Sequence, residues 1–162
     1  MKWVGAQQKT LIKWQKISYS QLTRISERLS LMQRYPPNSV PELLNFGLTV
    51  ENSVRLCFQR VLGQNLNSCM HNLCLHEKKW IIDTLQKQIS QWKNQDFVHG
   101  DLSLRNILYD NTNNQLWFID WILDLKSFSG TPYFASKEVF KGIHTYESDA
   151  FAMMRICDML LA

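Results

Sequence analysis

Three side chains able to hold a metal ion or move a proton crowd one short stretch of the chain. Residues 98–106 read VHGDLSLRN, which sets Asp101 and Arg105 just ahead of Asn106, and Asp120 follows within LWFIDW. Between Asn106 and Asp120 lie two short apolar runs, Ile107 to Tyr109 and Leu116 to Ile119, around the turn-forming residues DNTNNQ. Apolar runs separated by such residues predict a β-hairpin. A hairpin brings its open ends together, so Asn106 and Asp120 become neighbours, with Asp101 one short loop upstream.

A carboxylate from Asp120 and an amide oxygen from Asn106 form a hard, sparse ligand set. Mg²⁺ suits such a set, because it keeps several waters and completes its shell with phosphate oxygens. Asp101 is then placed to accept a proton or orient a hydroxyl. Arg105 adds a fixed positive charge suited to a phosphoryl group. Metal, base and cation together fit phosphoryl transfer, where positioning and charge neutralisation do most of the work.

The elements that must carry these residues follow from periodicity. KTLIKWQKI, residues 9–17, alternates and predicts a strand. Leu22, Ile25, Leu29 and Met32 recur at helical spacing, with Ser18 or Ser20 as the N-cap, and YPPNSVP stops that helix. Strands are expected around Leu43 to Phe46 and Val54 to Val61, with Gly63 ending the second. Ile81, Leu85, Ile89 and Trp92 define one face of a helix ending near Lys93 to Asp96. Asp149 or Ser148 caps a last helix through Phe151, Met154, Cys157 and Leu161. Trp80, Trp92 and Trp117 are expected to pack in the core.

With 162 residues and 45% hydrophobic content, the chain suits one globular domain. No signal peptide or membrane span is visible, and the four cysteines are scattered, so a cytoplasmic protein with reduced thiols is expected. The net charge of +4 is unevenly spread: Lys2, Lys9, Lys13, Lys16, Arg24, Arg28 and Arg34 face only Glu27 in the first 34 residues. A solvated basic face explains this better than a nucleic-acid surface. Cys69, His71, Cys74 and His76 in CMHNLCLH are possible zinc ligands, but their spacing is not a common zinc arrangement, and four ligands in so tight a segment would strain tetrahedral geometry.

The segment resembles the catalytic core of the eukaryotic-type protein kinase superfamily. HGDLSLRN is similar to the H-R-D-L-x-x-x-N catalytic loop, and FIDWI to the D-F-G region. The resemblance implies Asp101 as catalytic base, Asn106 and Asp120 as Mg²⁺ ligands, and His99 as a packed member of the loop. SGTPYFASKEV resembles the end of the activation segment, with Thr131 facing Asp101 and Glu138 at the A-P-E glutamate. ESDAFAMM resembles the start of the large central helix, where Asp149 would hold the catalytic-loop backbone. TLIK is similar to V-A-I-K and nominates Lys13 for the α/β-phosphates of ATP, with Glu27 as its partner. LCFQRVLGQNL resembles the hinge strand, whose backbone at Gln59 to Val61 would meet the adenine.

The fold so implied is α+β and protein-kinase-like: one domain with a reduced N-lobe over residues 1–62 and a truncated helical C-lobe over 63–162. There are also departures. No G-x-G-x-x-G precedes Lys13, where Gly5 is the only early glycine, although a hairpin over Val4 to Ile12 remains compatible. Gly100 replaces the family arginine, Ile122 replaces the D-F-G glycine, and Ser103 stands where a lysine is common, with Arg105 as a substitute. The activation segment is short, and the chain ends within the central helix.

The leading expectation is an ATP- and Mg²⁺-dependent phosphotransferase acting on a protein hydroxyl. HGDL and IDW also resemble aminoglycoside, choline and lipopolysaccharide-sugar kinases, so a small-molecule substrate is the alternative. A partner-binding pseudokinase is the non-enzymatic one, and a nucleic-acid binder ranks third. Oligomeric state is left open by the sequence.

Overall fold

The computed structural model describes residues 10–49, 53–126 and 130–162. The expected hairpin over Val4 to Ile12 therefore lies mostly outside the described residues. The chain divides into two compact units, one of residues 1–36 and 40–61, the other of residues 37–39 and 62–162.

In the first unit, β1 (Thr10–Lys16), β2 (Leu43–Leu48) and β3 (Ser53–Gln59) form an antiparallel sheet of order β1-β3-β2. Helix α1 (Leu22–Arg34) buries Ile25, Leu29 and Met32 and packs against β2, while Val54 and Leu56 of β3 are buried in the same unit. That burial, at roughly 25 cal/mol per Å² of apolar surface, holds the unit together. Neither Ser18 nor Ser20 caps α1. A 3-10 turn, Tyr19–Gln21, precedes the helix, and Ser18 N–H donates to Gln21 Oε1 at 2.8 Å. The serine instead begins the turn: its carbonyl accepts from Gln21 N–H at 3.0 Å.

In the second unit, β4 (Gln64–Asn65), β5 (Ile107–Asp110) and β6 (Gln115–Phe118) form a sheet in that order. A short helix α2 (Leu66–Cys69) and a 3-10 turn over Met70–Asn72 lead to α3 (Leu75–Asn94), and α4 (Tyr146–Leu161) packs on α3. Helix α3 starts well before the apolar face at Ile81, because Glu77 Oε2 accepts Cys74 N–H at 2.8 Å and closes the first turn. Cys74 is thus a helix cap, and among the described residues no three His, Cys, Asp or Glu converge as metal ligands. The zinc arrangement is set aside.

The core of this unit centres on Trp92, which is fully buried with Ile81, Leu85 and Ile89 along α3. Its ring meets Phe97 edge-on at 5.0 Å, Phe118 edge-on at 4.7 Å and His99 in a stack at 6.0 Å. Its Nε1–H donates to the Asn38 carbonyl at 3.2 Å, satisfying the one polar atom that burial would orphan. Trp80 and Trp117 are only half-buried.

The end of α3 shows how the core and the loop beyond it are joined. Phe97 N–H reaches the Trp92 carbonyl at 3.0 Å and Asp96 N–H the Lys93 carbonyl at 3.4 Å, with Asp96 at φ +51°. This is a Schellman stop carried by a residue other than glycine, and Phe97 supplies its apolar contact to Trp92. An L-residue in the left-handed region costs about 1–2 kcal/mol. Asp96→Gly is therefore expected to stabilise the protein by about 0.5–1 kcal/mol, and Asp96→Val to destabilise it, as read from urea denaturation midpoints.

Candidate active site

The hairpin of β5 and β6 sets up one end of the site. Its register pairs Ile107 with Phe118, and Ile119 N–H donates to the Asn106 carbonyl at 2.9 Å, so pairing runs one step past the strands. The turn is closed by the Asp110 carboxylate, which accepts Thr112 N–H, Asn113 N–H and the Asn113 amide at 3.1, 3.3 and 2.8 Å. These bonds, the Asn113 side chain foremost, hold the Asp110 carboxyl below its usual range. Asp120 follows the hairpin with φ +60°, a backbone conformation that aspartate tolerates better than bulkier residues.

Asp101 sits half-buried in the loop ahead of the hairpin, and its carboxylate is fixed from two sides. Oδ1 accepts Thr131 N–H at 2.8 Å and Thr131 Oγ1–H at 2.9 Å. Oδ2 accepts the Asn106 amide at 3.1 Å, and the same amide donates to the Asp101 carbonyl at 2.8 Å. A carboxylate has about four acceptor sites; three are used, and the remaining one is on Oδ2. The two oxygen partners also determine which end of Asn106 carries nitrogen, so its Oδ1 is directed away from Asp101.

The backbone beneath this cluster is held by Asp149 in the first turn of α4. Asp149 is buried, and its Oδ2 accepts His99 N–H at 2.6 Å while Oδ1 accepts Gly100 N–H at 2.9 Å. Asp149 does not cap α4; Thr145 does, its Oγ1 accepting Ser148 N–H at 3.4 Å while Ser148 Oγ accepts Thr145 N–H. His99 is fully buried. Its Nδ1 accepts Asp101 N–H at 3.3 Å, which assigns the ring proton to Nε2, 3.0 Å from the Ile119 carbonyl. The imidazole thereby joins the loop to the strand end that leads into Asp120.

Gly100 and Ile122 fit each other. Gly100 has φ +84°, and a Cβ there would collide with Cγ1 and Cδ1 of Ile122. Ile122 N–H donates to the His99 carbonyl at 2.9 Å, which fixes the isoleucine against the loop. Glycine meets both demands, left-handed backbone and no side chain. Positive φ in the D-F-G-like stretch falls on Asp120, and Ile122 is buried apolar packing.

Lys13, Glu27, Gln59 and Val61 belong to the first unit, while Asp101, Arg105, Asn106 and Asp120 belong to the second. Arg105 is exposed in the turn before β5. Lys13 pairs with Leu56 across the sheet and is half-buried on that buried face. At about 100° per residue, Glu27 falls opposite the stripe of Ile25, Leu29 and Met32, and it is exposed. It is also the one acidic residue in α1. Glu27 therefore stands on the exposed face of α1, while Lys13 lies half-buried on β1. Gln59 N–H is taken by the Glu42 carbonyl at 2.8 Å, and Val61 lies just beyond β3.

No family model and no curated protein matches the chain. Solved structures do. The kinase PK-1 of Cydia pomonella granulovirus superposes with a TM-score of 0.73 at 21% identity, over 97% of this chain and 61% of that one. The likeness establishes the fold, which is α+β and protein-kinase-like. The chain spans about 61% of the length of that kinase. No described helix is long and apolar enough to cross a membrane.

Asp149→Asn tests the support beneath the loop. An amide offers one oxygen where the carboxylate offers two, so one buried N–H loses its acceptor. A loss of about 1.5–3 kcal/mol is expected, together with faster hydrogen exchange at the His99 and Gly100 amides.

Proposed function

We propose that this chain is an ATP- and Mg²⁺-dependent phosphotransferase acting on a protein hydroxyl, with Asp101 as the base. The observation that carries the reading is the orientation of Asp101 and Asn106. Thr131 and Asn106 leave Asp101 with one open acceptor site on Oδ2, and the same bonds turn Asn106 Oδ1 outward. A base needs the first, and a metal ligand the second.

The residues fit the implied metal. Asn106 Oδ1 and the Asp120 carboxylate are hard oxygen donors at adjoining ends of one hairpin, the type of sparse set Mg²⁺ prefers. Bound Mg²⁺–ATP would supply the transferable phosphoryl group and neutralise its charge. Asp101 Oδ2 would accept the hydroxyl proton as the acceptor oxygen bonds to the γ-phosphorus and the phosphorus–oxygen bond to the departing ADP breaks. Thr131 holds the carboxylate in place, and Arg105 offers a cation to the phosphate. Lys13 is assigned to the nucleotide phosphates and the backbone near Gln59 and Val61 to the adenine. A protein substrate is favoured by the segment from Gly130 to Val139, which contributes Thr131 directly to the base.

A second reading, a partner-binding pseudokinase, is favoured by Glu27, which is exposed on the face of α1 opposite its buried stripe. Transfer of labelled γ-phosphate from Mg-ATP to a generic protein substrate separates the two. Asp101→Asn is expected to lower the rate about 10²- to 10⁴-fold. Absence of transfer by both proteins overturns the catalytic reading.

A further inference from the structure

Helix α4 is apolar on two sides. It buries Ala152, Ile156 and Leu160, yet Phe151, Met154 and Leu161 are 36%, 55% and 60% exposed. A helix that is apolar all round is normally enclosed by other elements. The exposed side chains are also aligned. Phe151, Met154, Asp158 and Leu161 follow one another at steps of three, four and three residues, all exposed. At about 100° per residue they share one stripe. Isolated surface apolar residues are ordinary, whereas a contiguous apolar stripe marks an interaction surface.

Alternating steps of three and four residues keep one face of a helix against a partner helix. This stripe also complements its own reverse. With two copies of α4 antiparallel about a two-fold axis level with residue 156, Phe151 meets Leu161 of the partner subunit. Met154 then meets the partner's Asp158. Arg155 borders the stripe, its guanidinium 4.5 Å above the Tyr133 ring, and Tyr133 is itself exposed, which widens the apolar surface. The same pairing brings each Asp158 beside Arg155 of the partner subunit. Among the described residues neither Arg155 nor Asp158 has an ion-pair partner within its own chain. A second copy therefore supplies the apolar cover and both counter-charges from one surface.

We propose that the outer face of α4 is a two-fold interface with a second copy of this chain, the helices antiparallel and each Arg155 facing the partner's Asp158. Such a contact is isologous, so the same patch serves both copies and the pair closes on itself. The stripe and Tyr133 expose roughly 400 Å² per copy, below the roughly 800 Å² per partner of a standard interface, so a reversible dimer in the micromolar range is expected. Its formation requires neither nucleotide nor phosphotransfer, and it stands independently of the function proposed above.

Sedimentation velocity of the full chain over about 1 to 200 μM reads the mass directly. A shift from one chain to two with rising concentration is expected. Met154→Glu puts a charge in the middle of the stripe and is expected to weaken association about tenfold or more. Met154→Ala adds no charge and gives a smaller loss in the same direction. Both positions of the charge pair are then reversed separately. Asp158→Arg alone and Arg155→Asp alone set like charges opposite each other and are expected to remain single chains. An equal mixture of these two variants restores both ion pairs and is expected to dimerise. Far-ultraviolet circular dichroism matching the parent's separates a lost dimer from a lost fold. Sedimentation of the parent as one chain at every concentration overturns the proposal. A dimer unmoved by Met154→Glu, or a mixture no better associated than its components, overturns it equally.

Discussion

The grip of Asp149 on the His99 and Gly100 amides is the contact on which the candidate site depends. A buried carboxylate is costly unless its oxygens are satisfied, and here two adjacent backbone N–H groups satisfy it. The bond joins the first turn of α4 to the loop that carries Asp101. Because His99 in turn contacts the Ile119 carbonyl, the grip extends to the end of the hairpin and to Asp120. Asp101, Asn106 and Asp120 are therefore positioned by one connected set of hydrogen bonds, anchored on helices whose packing centres on Trp92.

Much of this was readable in the sequence because it depends on local periodicity. The apolar faces of α1 and α3 follow from spacing of three and four residues, the hairpin from apolar runs around turn residues, and the stop after α1 from proline's missing amide donor. The orientation of Glu27 was readable too. The same Ile25, Leu29 and Met32 spacing that predicts the helix places Glu27 on its far side, where it is exposed. A motif gives the residue type at a position; the helical angle decides where it points.

Other features depend on contacts that no local pattern encodes. Thr145 takes the cap in place of Ser148 or Asp149 because Asp149 is committed to a loop far away in sequence. The early start of α3 depends on a cysteine cap, a residue type that rarely signals one.

The fit of Ile122 against Gly100 bears on how this sequence can change over time. Each residue departs from the kinase pattern, and taken singly each reads as decay. In space they form one exchange: isoleucine fills the volume that a side chain at 100 would need, and glycine keeps that volume open. A side chain at 100 would meet Ile122, so what either position can carry depends on the other. The two positions are best read as one packed unit, with glycine and isoleucine sharing a single volume.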